Sequence, residues 1–343
     1  MNGRPTFGAR LAVALSLGFI AGTYCHFTIS LGRPADDFSW FWLAARALIN
    51  GQDPYVVVQP GGAFNLNAPF LYPLTSAILA VPFCAWLSPA WAATVFVAFG
   101  AALLAWGITR DGFGRLPIFG CAPFIWACRS GQMSPLITAS ALIPALAWLA
   151  PSKPNLGLAA LAYRPSRLAL VGSACFVAAS LLINPHWPSE WITTLHSRTE
   201  GNYGMPIASI GGPLLLVALM RWRRPDARLL LVLACVPQSL LFYDQLPLWL
   251  IPRTRLQSAT LSLLSLVGLL LANQSLPANP TTAQVSLTYW PMIFATCYLP
   301  ALAMIMRDPN VGPVPGWMDH YADLIGGRIR TRLGRMHPGE AGT

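Results

Sequence analysis

The chain has 343 residues, of which 55% are hydrophobic and only 10% charged, and its formal net charge is +10. A soluble domain carries about 25% charged residues, so this composition excludes an ordinary water-soluble enzyme and excludes disorder. The basic excess lies between apolar runs and in the C-terminal tail rather than in a basic domain, which argues against nucleic acid as a partner.

The apolar residues form roughly nine to eleven runs long enough to enter a bilayer, which takes about 20 residues per helical crossing. The expected fold class is all-α, a polytopic transmembrane helical bundle over residues 1–306 with a basic cytoplasmic tail over 307–343. Arg4 and Arg10 precede the first run, which is longer than a signal-peptide core and lacks a small-x-small cleavage site. An uncleaved span over about residues 10–31 with a cytoplasmic N-terminus is expected, because cytoplasmic loops collect Lys and Arg.

The segment Gly32 to Phe70 is then extracytoplasmic. Within it Phe38, Phe41, Trp42, Ala45, Leu48 and Ile49 recur at helical spacing, Ser39, Arg46 and Asn50 turn away, and Gly51 supplies a stop. This pattern predicts a short amphipathic helix lying on the membrane surface. A turn at Gln52, Asp53 and Pro54 and an irregular stretch to Ala68 follow.

Further spans are predicted over about 71–88, 90–109, 116–128, 133–150, 168–184, 206–220, 229–243, 256–272 and 286–306. Several contain prolines (Pro82, Pro123, Pro144, Pro237, Pro300) or are short for a crossing. Broken helices are tolerated where protein or a water-filled cavity covers the freed backbone, so the bundle is expected to enclose a cavity. The run Arg221, Arg223, Arg224, Arg228 and the tail arginines Arg328, Arg330, Arg332 and Arg335 mark the cytoplasmic side, which puts the loop from Pro185 to Met205 outside with Asp36 and Asp37. Arg110, Arg115, Arg129, Lys153, Arg164 and Arg167 cannot all be inside, and a half-crossing over 154–163 is one way to restore the count. Residues 244–252 pose the same question before Arg253 and Arg255.

Asp36 and Asp37 stand at the start of the surface helix. One of them is expected to cap it, since Asp accepts hydrogen bonds from the orphan N–H groups of a first turn, and a carboxylate held there is also placed to take a proton from a substrate hydroxyl. Lys153 is the only lysine among 22 basic residues; it is either a snorkelling interfacial residue or a point charge for a phosphate. In the second role, Lys153→Ala should cost more activity than Lys153→Arg with the folded amount unchanged. Arg129, Gly131 and Gln132 read as a tight turn facing the cavity. His186, Glu190, His196, Arg198 and Glu200 crowd the second outer loop beside Trp187 and Trp191, and Tyr243 and Asp244 end a span where an acid ordinarily has a partner or a role. Seven cysteines (Cys25, Cys84, Cys121, Cys128, Cys175, Cys235, Cys297) show no metal-ligand spacing and read as packing residues.

The run Asp37, Phe38, Phe41, Trp42, Ala44, Ala45, Gly51, Asp53, Pro54, Tyr55 and then Phe70, Tyr72, Pro73 resembles the first extracytoplasmic loop of bacterial membrane glycosyltransferases that use polyprenyl-phosphate sugars. These belong to the glycosyltransferase C superfamily, and the likeness is to its alpha-mannosyltransferases. Gly131, Gln132 and the pair Lys153, Pro154 are similar to that family's later motifs. The chain is short for the family and carries an aspartate doublet. The resemblance implies inverting transfer of a sugar, mannose favoured, from a polyprenyl-phosphate donor to a hydroxyl of a lipid or glycan acceptor at the outer face of the cell's inner membrane. It implies Asp37 or Asp36 as general base, with Lys153, Arg129, His186 and His196 as candidates for the donor phosphate. Tyr55, Tyr72, Gln132 and Asp244 are the candidates for the substrate groove. No cofactor is called for, and a divalent metal at the leaving phosphate stays open. The competing readings are a transporter or lipid flippase and an inactive scaffold.

Overall fold

A computed structural model describes residues 5–33, 35–66, 68–197, 204–239, 241–312, 314 and 316. Arg198, Glu200 and the tail arginines Arg328, Arg330, Arg332 and Arg335 lie outside the described residues. The described chain is helical throughout, with a single antiparallel bridge between Gly204 and Gln238.

The helices are α1 (Phe7–Ser30), α2 (Asp36–Ile49), α3 (Pro54–Val57), α4 (Leu74–Cys84), α5 (Pro89–Ile108), α6 (Ala122–Ser130), α7 (Ser134–Ser140), α8 (Pro154–Tyr163), α9 (Arg167–Ile183), α10 (Trp187–Ser197), α11 (Pro225–Cys235), α12 (Arg255–Gln274), α13 (Thr282–Ile293) and α14 (Leu299–Met306). Segments of 3-10 helix cover Pro144–Ser152, Gly212–Arg221 and Phe242–Leu250, and a π-helical turn at Phe294–Tyr298 joins α13 to α14.

Among the described residues four helices are long and apolar enough to cross a membrane: Phe7–Ser30, Pro89–Asp111, Arg255–Gln274 and Ala283–Met306. A fifth passes if α9 and α10, bent by 92°, are taken together. Composition led to an expectation of nine to eleven crossings. The remaining apolar runs are instead divided into short pieces, and prolines do much of the dividing: Pro123 and Pro135 begin helices, and Pro151 and Pro247 lie inside 3-10 segments. Proline lacks the N–H that would continue an α-helix and crowds the preceding turn. In α1, which contains no proline, the full span survives. Gly18 and Gly22 let α1 close onto α5, since a Cβ on Gly18 would lie 2.8 Å from the Ala98 carbonyl oxygen, the small-residue packing that suits helices in lipid.

The arginines sort by tertiary contact. Arg10 donates to the Trp106 carbonyl at 2.8 Å, Arg164 to Leu142 at 3.3 Å, Arg228 to Ala162 at 2.9 Å and Arg115 to Pro252 at 3.1 Å. Arg224 and Arg253 both reach Asp308, at 3.0 and 3.2 Å. These contacts gather Arg10, Arg115, Arg164 and Arg228 with Arg224 and Arg253 at one end of the bundle. Arg129 lies toward Asp36 and Lys153 toward Asp37 instead.

The amphipathic helix forms as α2, but its apolar face does not lie free. Phe38 and Phe41 are fully buried, with Phe38 5.2 Å from Phe96 and Phe41 4.5 Å from Tyr72 between ring centroids. Burial of a phenylalanine contributes about 1.5–3 kcal/mol, so protein rather than lipid fixes the depth of this helix.

Candidate functional site

The site begins with a turn. Gly131 ends α6 at φ +69°, in the left-handed region where a Cβ is penalised, and a Cβ there would also sit 2.5 Å from the Phe38 Cβ. The absence of a side chain is what lets the first turn of α2 rest on this corner. Gly131→Ala is expected to cost roughly 2 kcal/mol or more from combined backbone strain and overpacking, measured as lost thermal stability in detergent, with activity falling further because Asp37 rides on the displaced helix.

Neither aspartate caps α2. The N-cap is Ala35, which makes no side-chain bond, and both aspartates fall inside the first turn, where their charge suits the helix dipole. They differ in direction. Asp36 is exposed on the side of Arg129, while Asp37 turns inward to Gln132 and Lys153. Burial pushes the Asp37 carboxyl up to about 6, opposed by a hydrogen bond from Gln132 and the charge of Lys153 and reinforced by Asp244 and Asp36. A carboxyl near 6 is matched to proton transfer close to neutral pH.

Around Asp37 the polar groups form one connected chain. Gln132, buried directly after the Gly131 turn, donates from Nε2 to the Tyr72 hydroxyl at 3.1 Å and accepts at Oε1 from Lys153 Nζ at 2.7 Å. Lys153, 5% exposed, lies 2.7 Å from Asp244 Oδ1 and 4.7 Å from the centre of the Tyr243 ring. Ser239 Oγ donates to the other Asp244 oxygen at 2.9 Å. The Thr75 hydroxyl holds the Pro151 carbonyl at 2.9 Å, pinning the segment that ends in Lys153 against α4.

This chain borders a cavity of about 380 Å³ whose floor is polar (Lys153, Asp244, Ser239, Asn155) and whose walls are apolar (Leu71, Leu158, Trp191, Leu195). Helix α10 forms one wall, fastened by a hydrogen bond from Trp191 Nε1 to the Leu71 carbonyl at 3.0 Å. Asn184 secures its base by donating to Asp53 at 3.2 Å and Glu190 at 2.8 Å.

The fold thus brings together Asp37, Tyr72, Gln132, Lys153 and Asp244 from five separate stretches of chain. Lys153 is not a bare point charge, because Asp244 already answers it. Arg129 stands apart, toward Asp36 and within 6.0 Å of the Trp126 ring. His186 and His196 are exposed and neither lines the cavity. Tyr55 is buried behind the groove; burial together with Asp53 and Glu190 raises its phenol, which stays protonated and donates to the Tyr72 carbonyl at 2.8 Å. Ser239 and Asn155 were not singled out in the sequence, where nothing distinguishes them from other small polar residues. Tyr243 carried one signal, its place beside an acid at the end of an apolar run.

Comparison with family models, curated proteins and solved structures finds no match to this chain.

Proposed function

We propose that this chain is an integral-membrane glycosyltransferase that moves a sugar, mannose by resemblance, from a polyprenyl-phosphate donor to an acceptor hydroxyl. The observation that supports it best is Asp37, a carboxyl pushed up to about 6 and joined through Gln132 to Lys153, which with Asp244 and Tyr72 lines the apolar-walled cavity that Asp37 itself stands behind. In this reading the acceptor oxygen attacks the anomeric carbon, its proton passes to Asp37, and the bond from that carbon to the phosphate oxygen breaks with inversion. Lys153, Asn155 and the amino terminus of α8 face the leaving polyprenyl phosphate, because a helix start favours an anion. The donor's lipid needs no nucleotide fold, only an apolar wall. Transfer of radiolabelled sugar from polyprenyl-phosphate mannose in membranes tests the proposal, and absence of transfer with every polyprenyl-phosphate sugar would overturn it.

Membrane insertion is supported by the four long apolar helices and by large apolar side chains facing outward, such as Phe19 at 75% and Leu182 at 89% exposure. In this reading the arginine-rich end faces the cytoplasm, where Lys and Arg collect, and the Asp37 end faces outward. Cysteines introduced at Asn65 and Ser189 are expected to react with an impermeant reagent in intact cells, and one at Arg115 only after permeabilisation. The reverse pattern would invert the site.

A second reading rests on the Lys153–Asp244 pair. Intramembrane ionisable pairs also mark proton-coupled transporters, and Asp37 could serve as the titrating group of one. A transporter would move substrate across vesicles without cleaving the sugar–phosphate bond, whereas an inactive scaffold would do neither.

A further inference from the structure

At the end of α8 opposite Lys153 the surface opens into a second depression, about 720 Å³ in volume and lined by Arg164, Ser166, Arg167 and Arg228. A smaller hollow shares Arg164 and Ser166 with it. That hollow shares Pro144 and Leu168 in turn with a third depression, of about 520 Å³, walled by Trp148, Gly172 and Phe176. The shared residues set the three depressions side by side, the first cationic and the last apolar.

We propose that the three depressions together bind one anionic phospholipid, with the headgroup phosphate at Arg164 and Arg167 and an acyl chain along Leu168, Trp148 and Phe176. Charge selects the occupant. Arg164 and Arg167 are exposed, and among the described residues neither pairs with a carboxylate. Two acids at this end are already engaged, Asp226 by Arg224 and Asp308 by Arg224 and Arg253. Length fits as well: from Arg167 to Phe176 a helix rises about 14 Å, close to one leaflet of a hydrocarbon core about 30 Å thick. The apolar wall is rigid, because Trp148 packs edge-on against Phe176 at 4.9 Å and a Cβ on Gly172 would meet the Trp148 Cβ at 2.8 Å. Basic pockets between helices on the cytoplasmic side are a known setting for anionic headgroups.

The inference rests on the chain being a membrane protein and is independent of its sugar chemistry. The test is native mass spectrometry of the full chain extracted in mild detergent and supplied with equal phosphatidylglycerol and phosphatidylcholine. The wild-type protein is expected to retain phosphatidylglycerol at least tenfold over phosphatidylcholine. R164Q/R167Q should abolish the preference with little change in thermal stability, since both side chains are exposed and the one tertiary bond lost, from Arg164 to the Leu142 carbonyl, is itself exposed, and R164K/R167K should keep it. Equal retention of the two lipids by wild type, an unchanged preference in R164Q/R167Q, or displacement of phosphatidylglycerol by inorganic phosphate at matched concentration would overturn the proposal. Fractionation before extraction separates the two ideas: a chain found outside the membrane defeats the membrane reading, while a membrane-bound chain without lipid preference defeats only this one.

Discussion

Asp37→Asn is expected to lower sugar transfer from a polyprenyl-phosphate donor by about 10²- to 10⁴-fold, the usual contribution of a positioned proton acceptor, while donor binding survives. Asn fills the same volume and keeps its place on a helix start that Asp37 does not cap. In the wild-type protein the rate should rise as pH passes about 6, where the carboxyl loses its proton. Stability should move the other way. Because the folded-state pKa lies above the ordinary 3.8, the native protein binds this proton more tightly than the unfolded chain does. Ionisation therefore costs stability: nothing below about pH 4, a growing amount up to about pH 6, and the full amount above it. That amount is on the order of 2 to 3 kcal/mol, so Asp37→Asn should melt higher than wild type at pH 7 and equally at pH 4. Asp36→Asn, on the exposed side facing Arg129, should change both far less. Wild-type turnover by Asp37→Asn would end the assignment.

Lys153→Ala is expected to damage folding as well as activity. The simple phosphate role predicted an unchanged folded amount, but the structure places Lys153 against a buried acid, and removing one partner of a buried ion pair strands the other at a cost of about 3–5 kcal/mol. Lys153→Arg keeps the charge but must fit a planar fork where Gln132 and Asp244 both approach Nζ to 2.7 Å, so partial recovery of folding with poor transfer is expected. The paired replacement K153M/D244L removes both charges together and should restore the folded amount, since apolar substitutes for a buried pair are often neutral. Its transfer activity separates the two roles. Loss of transfer in a well-folded K153M/D244L protein assigns the pair to the chemistry; wild-type transfer would make it purely structural.

Gly131 and α2 show how far the linear pattern reached. Helix α2 runs from Asp36 to Ile49 as the spacing of Phe38, Phe41, Ala45 and Leu48 requires, because a 3.6-residue period needs no distant partner to be legible. The same holds for the long apolar runs that became α1, α5 and α12, and for the turn at Gly131 and Gln132. What the period does not encode is the surface an apolar face will meet. The sequence pattern put Phe38 and Phe41 against lipid, and packing on Phe96 and Tyr72 puts them against protein instead. Nor does spacing pair charges: Lys153 and Asp244 meet across two short segments that are far apart in sequence, and at the opposite end Arg115 finds the distant Pro252 carbonyl. Helical class and the start and period of α2 are local properties, written in composition and periodicity, whereas the number of full-length spans is not. The partner of Lys153, the inward turn of Asp37 and the end to which each arginine belongs follow from burial, which forces charges to find one another wherever the folded chain brings them together.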